Sequence, residues 1–108
     1  MTIERRRVPR VLLHSVGTID LGDRQIPCQT LELSVSGLSL LTPRAEPPSG
    51  PVRVRFQLGR RDASWTEVDA RVVRSEGWDA SSSVWALELF ELDPGPRRHV
   101  RSFVEARA

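Results

Sequence analysis

The chain consists of short apolar segments separated by proline, glycine and other turn-forming residues. In segment 51–58, apolar residues alternate with arginine and glutamine; the apolar ones are Val52, Val54, Phe56 and Leu58. An apolar residue at every second position is typical of a β-strand with one face in the core and the other in solvent. Five further segments have the composition of strands: 11–20, 25–33, 38–42, 65–75 and 83–92. Six short strands at close spacing predict a β-barrel or a β-sandwich.

The last segment of the chain has a different period. Val100, Phe103 and Val104 have the spacing i, i+3, i+4, which places them on one face of a helix. Asp93 can cap this helix, and a proline occupies its first position. We expect a C-terminal helix at about 94–107 whose apolar face covers an open end of the sheet structure, because an isolated helix of this length is marginally stable in water.

The size and composition of the chain predict one globular domain. It has 108 residues, of which 39% are hydrophobic and 28% charged. No apolar run approaches the roughly 20 residues of a spanning helix, and residues 1–10 lack the apolar stretch of a secretory signal. The single Cys28 excludes an internal disulfide. We therefore expect a cytoplasmic protein without membrane insertion, with a flexible basic segment at 1–10 and one domain at 11–108.

Positive charge is concentrated at the two ends of the chain. Residues 1–10 and residues 94–108 each contain four arginines and one glutamate, whereas the formal net charge of the whole chain is only +2. This distribution favours a local anion site over a long polynucleotide track, so we expect no DNA or RNA partner. A barrel that binds single-stranded nucleic acid would interleave aromatic and basic side chains, but Phe56 falls on the face opposite Arg53 and Arg55.

No pattern in the sequence indicates catalysis. There is no HExxH motif and no glycine-rich loop before a lysine, and the segment SVSG at 34–37 is not a GxSxG elbow, because a glutamate precedes it by two positions. Cys28 lies within a predicted strand, where a buried and inert thiol is expected. His14 and His99 are too isolated for a metal site. We therefore expect a protein that is not an enzyme and that has no metal or cofactor.

Two short motifs contain the residues best suited to binding an anion. The first is the run RRRVPR at 5–10, in which Arg6 and Arg10 have the spacing RxxxR just before the first strand. The second is ELSVSG at 32–37, which ends the second strand and opens a turn. Arginine can form bidentate hydrogen bonds with a phosphate or a guanine edge and can stack on a purine ring. A glycine in the turn lets the backbone approach a ligand closely.

Together and in this order, the two motifs resemble the signature of the PilZ domain family, which is RxxxR followed further along the chain by (D/N)xSxxG. The resemblance covers nearly the whole chain, since segment 70–75 resembles the fifth strand of that family and segment 85–92 the strand before its C-terminal helix. It implies an all-β fold with a C-terminal helix, namely a six-stranded antiparallel β-barrel. It also implies cyclic di-GMP, a bacterial second messenger, as the ligand.

The resemblance also implies which residues bind the ligand. They belong to the two motifs and are Arg6, Arg10, Glu32, Ser34 and Gly37. Further candidates adjoin them: Arg5, Arg7 and Ser36. Glu32 stands where the family has Asp or Asn, and its carboxylate could accept hydrogen bonds from the N–H edge of guanine. Three tryptophans could stack on bases, but we expect Trp85 in the core, and the sequence does not assign Trp78, which follows the predicted fifth strand.

Two hypotheses about function follow from this resemblance. The first is a cyclic di-GMP receptor in which the arginine segment is mobile when empty and folds over the bound nucleotide, so that its ordering is the switch. The signal would pass to an unidentified protein partner, because the chain contains no output domain, and would regulate motility or biofilm formation. The second is a PilZ-like adaptor that acts through protein contacts and does not bind nucleotide, since Glu32 is one methylene longer than Asp.

Overall fold

The computed structural model describes residues 9–58 and 65–107. Arg5, Arg6 and Arg7, three of the predicted site residues, lie outside this part of the chain. The described residues form seven strands and one helix: β1 (Val11–Leu12), β2 (Val16–Asp20), β3 (Gln25–Leu33), β4 (Gly37–Pro43), β5 (Val52–Phe56), β6 (Thr66–Gly77), β7 (Ser82–Leu89) and α1 (Pro94–Arg107).

The strands form a closed antiparallel barrel. Neighbouring strands pair in the order β3, β2, β5, β6, β7 and β4, and β4 pairs in turn with β3, which closes the sheet after six strands. The short strand β1 pairs with the C-terminal end of β3, and β2 pairs with the N-terminal part of the same strand. The predicted six-stranded antiparallel barrel with a C-terminal helix is therefore confirmed, with β1 as an additional strand.

The prediction of one continuous strand over 11–20 is wrong, because a bulge interrupts it. Leu12 pairs with Glu32, whereas Val16 pairs with Gln29, so the first strand contains one residue more than β3 between these two pairs. The hydroxyl of Thr30 stabilises the bulge. It donates a hydrogen bond to a backbone carbonyl oxygen of the bulge at 2.6 Å and accepts one from a backbone N–H at 2.8 Å.

The predicted ends of the other strands differ from the observed ends by up to three residues. β3 has the predicted bounds, but β7 ends at Leu89 and not at residue 92. After Leu89, the N–H of Phe90 still donates to the carbonyl oxygen of Asp69 in β6 at 2.8 Å, and the chain then leads into α1. The carbonyl oxygen of Asp93 accepts the N–H of Arg97 at 2.9 Å in the first turn of that helix.

The barrel interior is filled by the alternate apolar residues of the strands. Trp85 is fully buried, as predicted, together with Phe56 and Ile19. Two apolar residues of α1, Val100 and Val104, belong to the same core. Among the described residues, no helix is both long enough and apolar enough to cross a membrane.

Candidate functional site

A row of residues crosses the outer surface of four neighbouring strands. Glu32 of β3 pairs with Ser39 of β4, Ser39 pairs with Ala86 of β7, and Ala86 pairs with Arg74 of β6. Paired residues of antiparallel strands point to the same face of the sheet. The next residue along β4, Leu38, is buried in the core, so the row points outwards. Its two central side chains are small, and a shallow floor therefore lies between Glu32 and Arg74.

Two bulges flank this floor. The pairing of β3 with β4 shifts by one residue at Leu31, and the pairing of β6 with β7 shifts by one residue at Val73. A bulge bends its strand and changes the direction of nearby side chains. Val73 is 54% exposed, although it is apolar, and both bulged residues line the same cleft. The bulges lie in β3 and β6, on the two sides of the floor that β4 and β7 form.

The resulting cleft has a volume of about 720 Å³. Five of the predicted site residues line it: Arg10, Glu32, Ser34, Ser36 and Gly37. Arg10 reaches the cleft because the next residue, Val11, pairs with Leu33 of β3. The structure therefore brings the last arginine of the first motif together with the predicted binding residues of the second motif. The other predicted arginines fall outside the described residues.

Ser34 builds the turn between β3 and β4. Its backbone N–H donates to the carbonyl oxygen of Gly37 at 2.9 Å, and its hydroxyl oxygen accepts the N–H of Ser36 at 3.2 Å. The side chain is buried, and its hydroxyl also lies 3.4 Å from the carbonyl oxygen of Gly37. Ser34 thereby fixes the backbone of the turn, and the more exposed Ser36 lies at its tip.

Gly37 closes the turn and is also the first residue of β4. Among the described glycines, only Gly22 has a positive φ, so a left-handed conformation does not explain Gly37. A Cβ atom at this position would lie 3.3 Å from the carbonyl oxygen of Leu87, closer than most such contacts. Glycine is favoured here because β7 approaches β4 closely under the cleft.

Two described arginines, Arg10 and Arg74, line the cleft, and they differ in their ion pairs. Arg74 forms an ion pair with Glu76 at 3.5 Å, and Arg71 beside the cleft pairs with Glu88 at 3.3 Å. Arg10 forms no salt bridge with any residue in the described ranges and is exposed. A guanidinium without a carboxylate partner can bind a phosphate or a guanine edge without breaking an existing ion pair.

The sequence did not predict the wall of the cleft formed by β6 and the turn that follows it. Val73, Arg74 and Trp78 line this wall. Trp78 is 68% exposed, which is unusual for so large an apolar side chain. The only sign of this wall in the sequence was a tryptophan in a loop that contains glycine, serine and aspartate. The sequence did not show which strands lie next to that loop.

Histidine, cysteine and acidic side chains are spread over the described part of the chain. The described residues contain no group of three or more histidine, cysteine, aspartate or glutamate side chains that could hold an ion. Burial raises the pKa of Cys28 to about 12, so the thiol stays protonated and is a poor nucleophile at neutral pH. The cleft, which is lined by Arg10, Glu32 and the turn between β3 and β4 around a shallow floor, is suited to binding.

Several solved structures have the same fold. One is an inhibitor of motility from Bacillus subtilis, MotI/DgrA, which is 18% identical in sequence and superimposes with a TM-score of 0.79. The match covers 96% of this chain but only 51% of MotI/DgrA, so this chain spans about half the length of that protein. The PilZ domain of YcgR from Escherichia coli, solved with c-di-GMP, is 15% identical with a TM-score of 0.75, and the match covers 96% of this chain and 92% of that domain. PlzA from Borreliella burgdorferi, also solved with c-di-GMP, is 8% identical with a TM-score of 0.59, covering 94% of this chain and 51% of PlzA.

Sequence comparison identifies the family directly. No curated protein sequence matches the chain significantly. The family described as PilZ domain, however, matches residues 4–106, which include both motifs, all the strands and most of the helix. With the closed six-stranded barrel, this match shows that the chain belongs to the PilZ domain family.

Proposed function

We propose that this chain is a receptor for cyclic di-GMP, which binds in the cleft between Arg10 and the Glu32–Gly37 turn. The observation that supports the proposal is that Arg10 of the first motif and five residues of the second motif, separated in sequence by the first strands, line one cleft. Two of the similar structures, the YcgR domain and PlzA, were solved with this nucleotide.

The residues of the cleft suit the chemistry of the ligand. The guanidinium of Arg10 offers paired N–H donors for a phosphate or for the O6 and N7 atoms of guanine. The carboxylate of Glu32 can accept hydrogen bonds from the N1 and N2 donors on the opposite edge of guanine. Ser39 and Ala86 form a floor that is low enough for a flat ring system. Arg10 and Glu32 thus match in character one phosphate or guanine edge and one guanine N–H edge of the nucleotide.

In this proposal, the arginines at 5–7 complete the site. They include Arg6, the first arginine of the RxxxR motif, and they directly precede the part of the chain that reaches the cleft. Binding orders this segment over the nucleotide and creates a new surface next to β1, where Leu12 is already exposed. That surface passes the signal to a protein partner. The similarity to an inhibitor of motility makes a component of the motility machinery a reasonable first candidate.

A thermal shift with the nucleotide tests the proposal. A ligand present at 100 times its dissociation constant stabilises the folded state by about 2.7 kcal/mol, which raises the Tm of a domain of this size by roughly 10 °C. We expect this shift with cyclic di-GMP and not with GMP at the same concentration. An unchanged Tm at saturating cyclic di-GMP would refute the proposal.

The second candidate function is an adaptor that binds a protein partner and no nucleotide. One observation favours it: Glu32 lies in the cleft at the position where the family has Asp or Asn, and its extra methylene moves the carboxylate further into the space for the ligand. For this candidate, the parent shows no thermal shift with cyclic di-GMP. A shift that appears only in Glu32→Asp would identify Glu32 as the cause.

A further inference from the structure

The wall of the cleft across the floor from Glu32 carries an exposed apolar surface. It consists of Trp78, which is 68% exposed, and the bulged Val73, which is 54% exposed. Both line the cleft that Arg10 also lines. Because β4 and β7 lie between β3 and β6, this apolar wall and the Glu32 wall are separated by the width of the floor.

The turn that carries Trp78 is held by several hydrogen bonds. The N–H of Trp78 donates to the carbonyl oxygen of Ser82 at 2.9 Å. One carboxylate oxygen of Asp79 accepts the N–H of Ser81 at 2.8 Å and lies 3.2 Å from its hydroxyl oxygen. These bonds also lower the pKa of Asp79, since they stabilise its charged form. The backbone next to Trp78 is therefore fixed before any ligand arrives.

Arg44, which directly follows β4, connects this turn to the barrel through hydrogen bonds. Its Nη1 atom donates to the carbonyl oxygen of Asp79 at 3.1 Å, and its backbone N–H donates to the carbonyl oxygen of Ser81 at 2.8 Å. Its guanidinium also lies beside Gly77, within 4.0 Å of the position of a Cβ atom there. A turn tied to a neighbouring strand keeps the backbone of Trp78 at one place on the wall, so less backbone entropy is lost when this residue binds a ligand.

We propose that Trp78 is a stacking platform for one base of the bound nucleotide, and that Val73 extends this platform. The inference rests on the proposed function and assigns to it a contact residue outside the two motifs. A purine ring has a flat face of the size of an indole, and base stacking on an aromatic side chain does not require a hydrogen bond. Stacking would cover the exposed apolar surface of Trp78, which has no partner of this kind among the described residues. The guanidinium of Arg10 would hold the other part of the ligand.

Substitution of Trp78 in the full chain tests this proposal, with cyclic di-GMP as the probe in titration calorimetry. Trp78→Ala is expected to weaken binding by roughly 5- to 100-fold, in keeping with the usual loss per stacked base. Trp78→Leu, which keeps an apolar side chain but no ring, is expected to lose nearly as much. Trp78→Phe is expected to retain most of the affinity. Trp65→Ala is the matched control, because Trp65 is also exposed but does not line the cleft.

Intrinsic fluorescence gives a second reading of the same contact. Trp85 is buried in the core and Trp65 lies outside the cleft, so Trp78 is the tryptophan whose emission a stacked base would quench. We expect cyclic di-GMP to quench the emission of the parent and of Trp65→Phe. The quenching should largely disappear in Trp78→Phe, even though that variant still binds.

The possible results separate this inference from the proposed function. If the parent binds and Trp78→Ala and Trp78→Leu bind equally well, the stacking role of Trp78 is wrong, while the receptor function stands. Equal losses in Trp78→Phe and Trp78→Ala would also contradict stacking. If the parent itself does not bind, the proposed function and this inference both fail. Because Trp78 is exposed, an unchanged Tm of each variant without ligand confirms that its fold is intact.

Discussion

The hydroxyl of Thr30 donates a 2.6 Å hydrogen bond to the carbonyl oxygen of Leu13 and so holds together the bulge that separates β1 from β2. The same oxygen accepts the N–H of Ser15 at 2.8 Å. Thr30 is fully buried, so water cannot replace either bond. Since β1 directly follows Arg10, this buried hydroxyl and the pairing of β1 with β3 together hold the backbone next to Arg10.

Thr30→Val is therefore expected to destabilise the domain by about 1–3 kcal/mol, the usual cost of buried polar groups left without a partner. Urea unfolding measures this change. Thr18→Val is the matched control, because Thr18 is only half-buried on β2 and its hydroxyl bonds to none of the described residues. We expect the control to change stability by less than about 0.5 kcal/mol. Equal effects of the two substitutions would show that the bulge does not depend on the hydroxyl.

Much of the barrel could be predicted from local patterns. The alternation in β5 predicted which of its side chains are buried, and the spacing of Val100 and Val104 predicted the helix. These features depend on which face of one strand or helix meets the core, and the period of its apolar residues predicts that face. The interruption of the first strand was not predictable, because a bulge depends on the register with β3, and the key hydroxyl is 17 residues away from Leu13.

The candidate site was predictable only in part. Arg10 and the Glu32–Gly37 turn could be found because they form short motifs, and the structure places them in one cleft. The wall formed by Val73 and Trp78 could not be found in this way. Its position depends on the pairing of β6 with β7 and on a shift of that pairing at Val73, and neither leaves a local signature. The close approach of the Leu87 carbonyl oxygen to Gly37 also depends on strand pairing, here of β4 with β7.

Cys28 is expected to make the domain less stable at alkaline pH. Burial raises the pKa of its thiol to about 12 in the folded state, whereas a thiol in the unfolded chain ionises near about 8.5. Its contribution to stability is therefore complete below pH 8.5, decreases as the pH rises, and is lost towards pH 12, with a slope of up to about 1.4 kcal/mol per pH unit. The chain contains neither lysine nor tyrosine, so few other groups titrate in this range.

Unfolding by urea at pH 8, 9 and 10 measures this dependence. The free energy of unfolding of the parent should fall as the pH rises, and that of Cys28→Ala should fall less steeply, whatever the stability of the variant at pH 8. Parallel curves for the two proteins would mean that the thiol does not titrate differently in the folded and unfolded states.

Glu32→Asp is expected to bind cyclic di-GMP at least as tightly as the parent. The shorter side chain restores the length found at this position in the family and removes a methylene from the cleft, while the carboxylate that accepts the guanine N–H groups is kept. Glu32→Gln, which has the length of the parent but no charge, is the comparison that separates length from charge. A clear loss of affinity in Glu32→Asp would show that the carboxylate needs the longer side chain to reach the base.

The central claim is that Arg10 and the turn at Glu32–Gly37 bind one nucleotide between them, and titration calorimetry of Arg10→Ala tests it most directly. The matched control is Arg24→Ala, because Arg24 is also exposed but lies outside the cleft. Loss of one charge-assisted hydrogen-bonding group usually costs about 1.5–3 kcal/mol, so we expect the affinity of Arg10→Ala to fall by at least roughly 10-fold while Arg24→Ala binds like the parent. If Arg10→Ala binds cyclic di-GMP as tightly as the parent, the two motifs do not form the site.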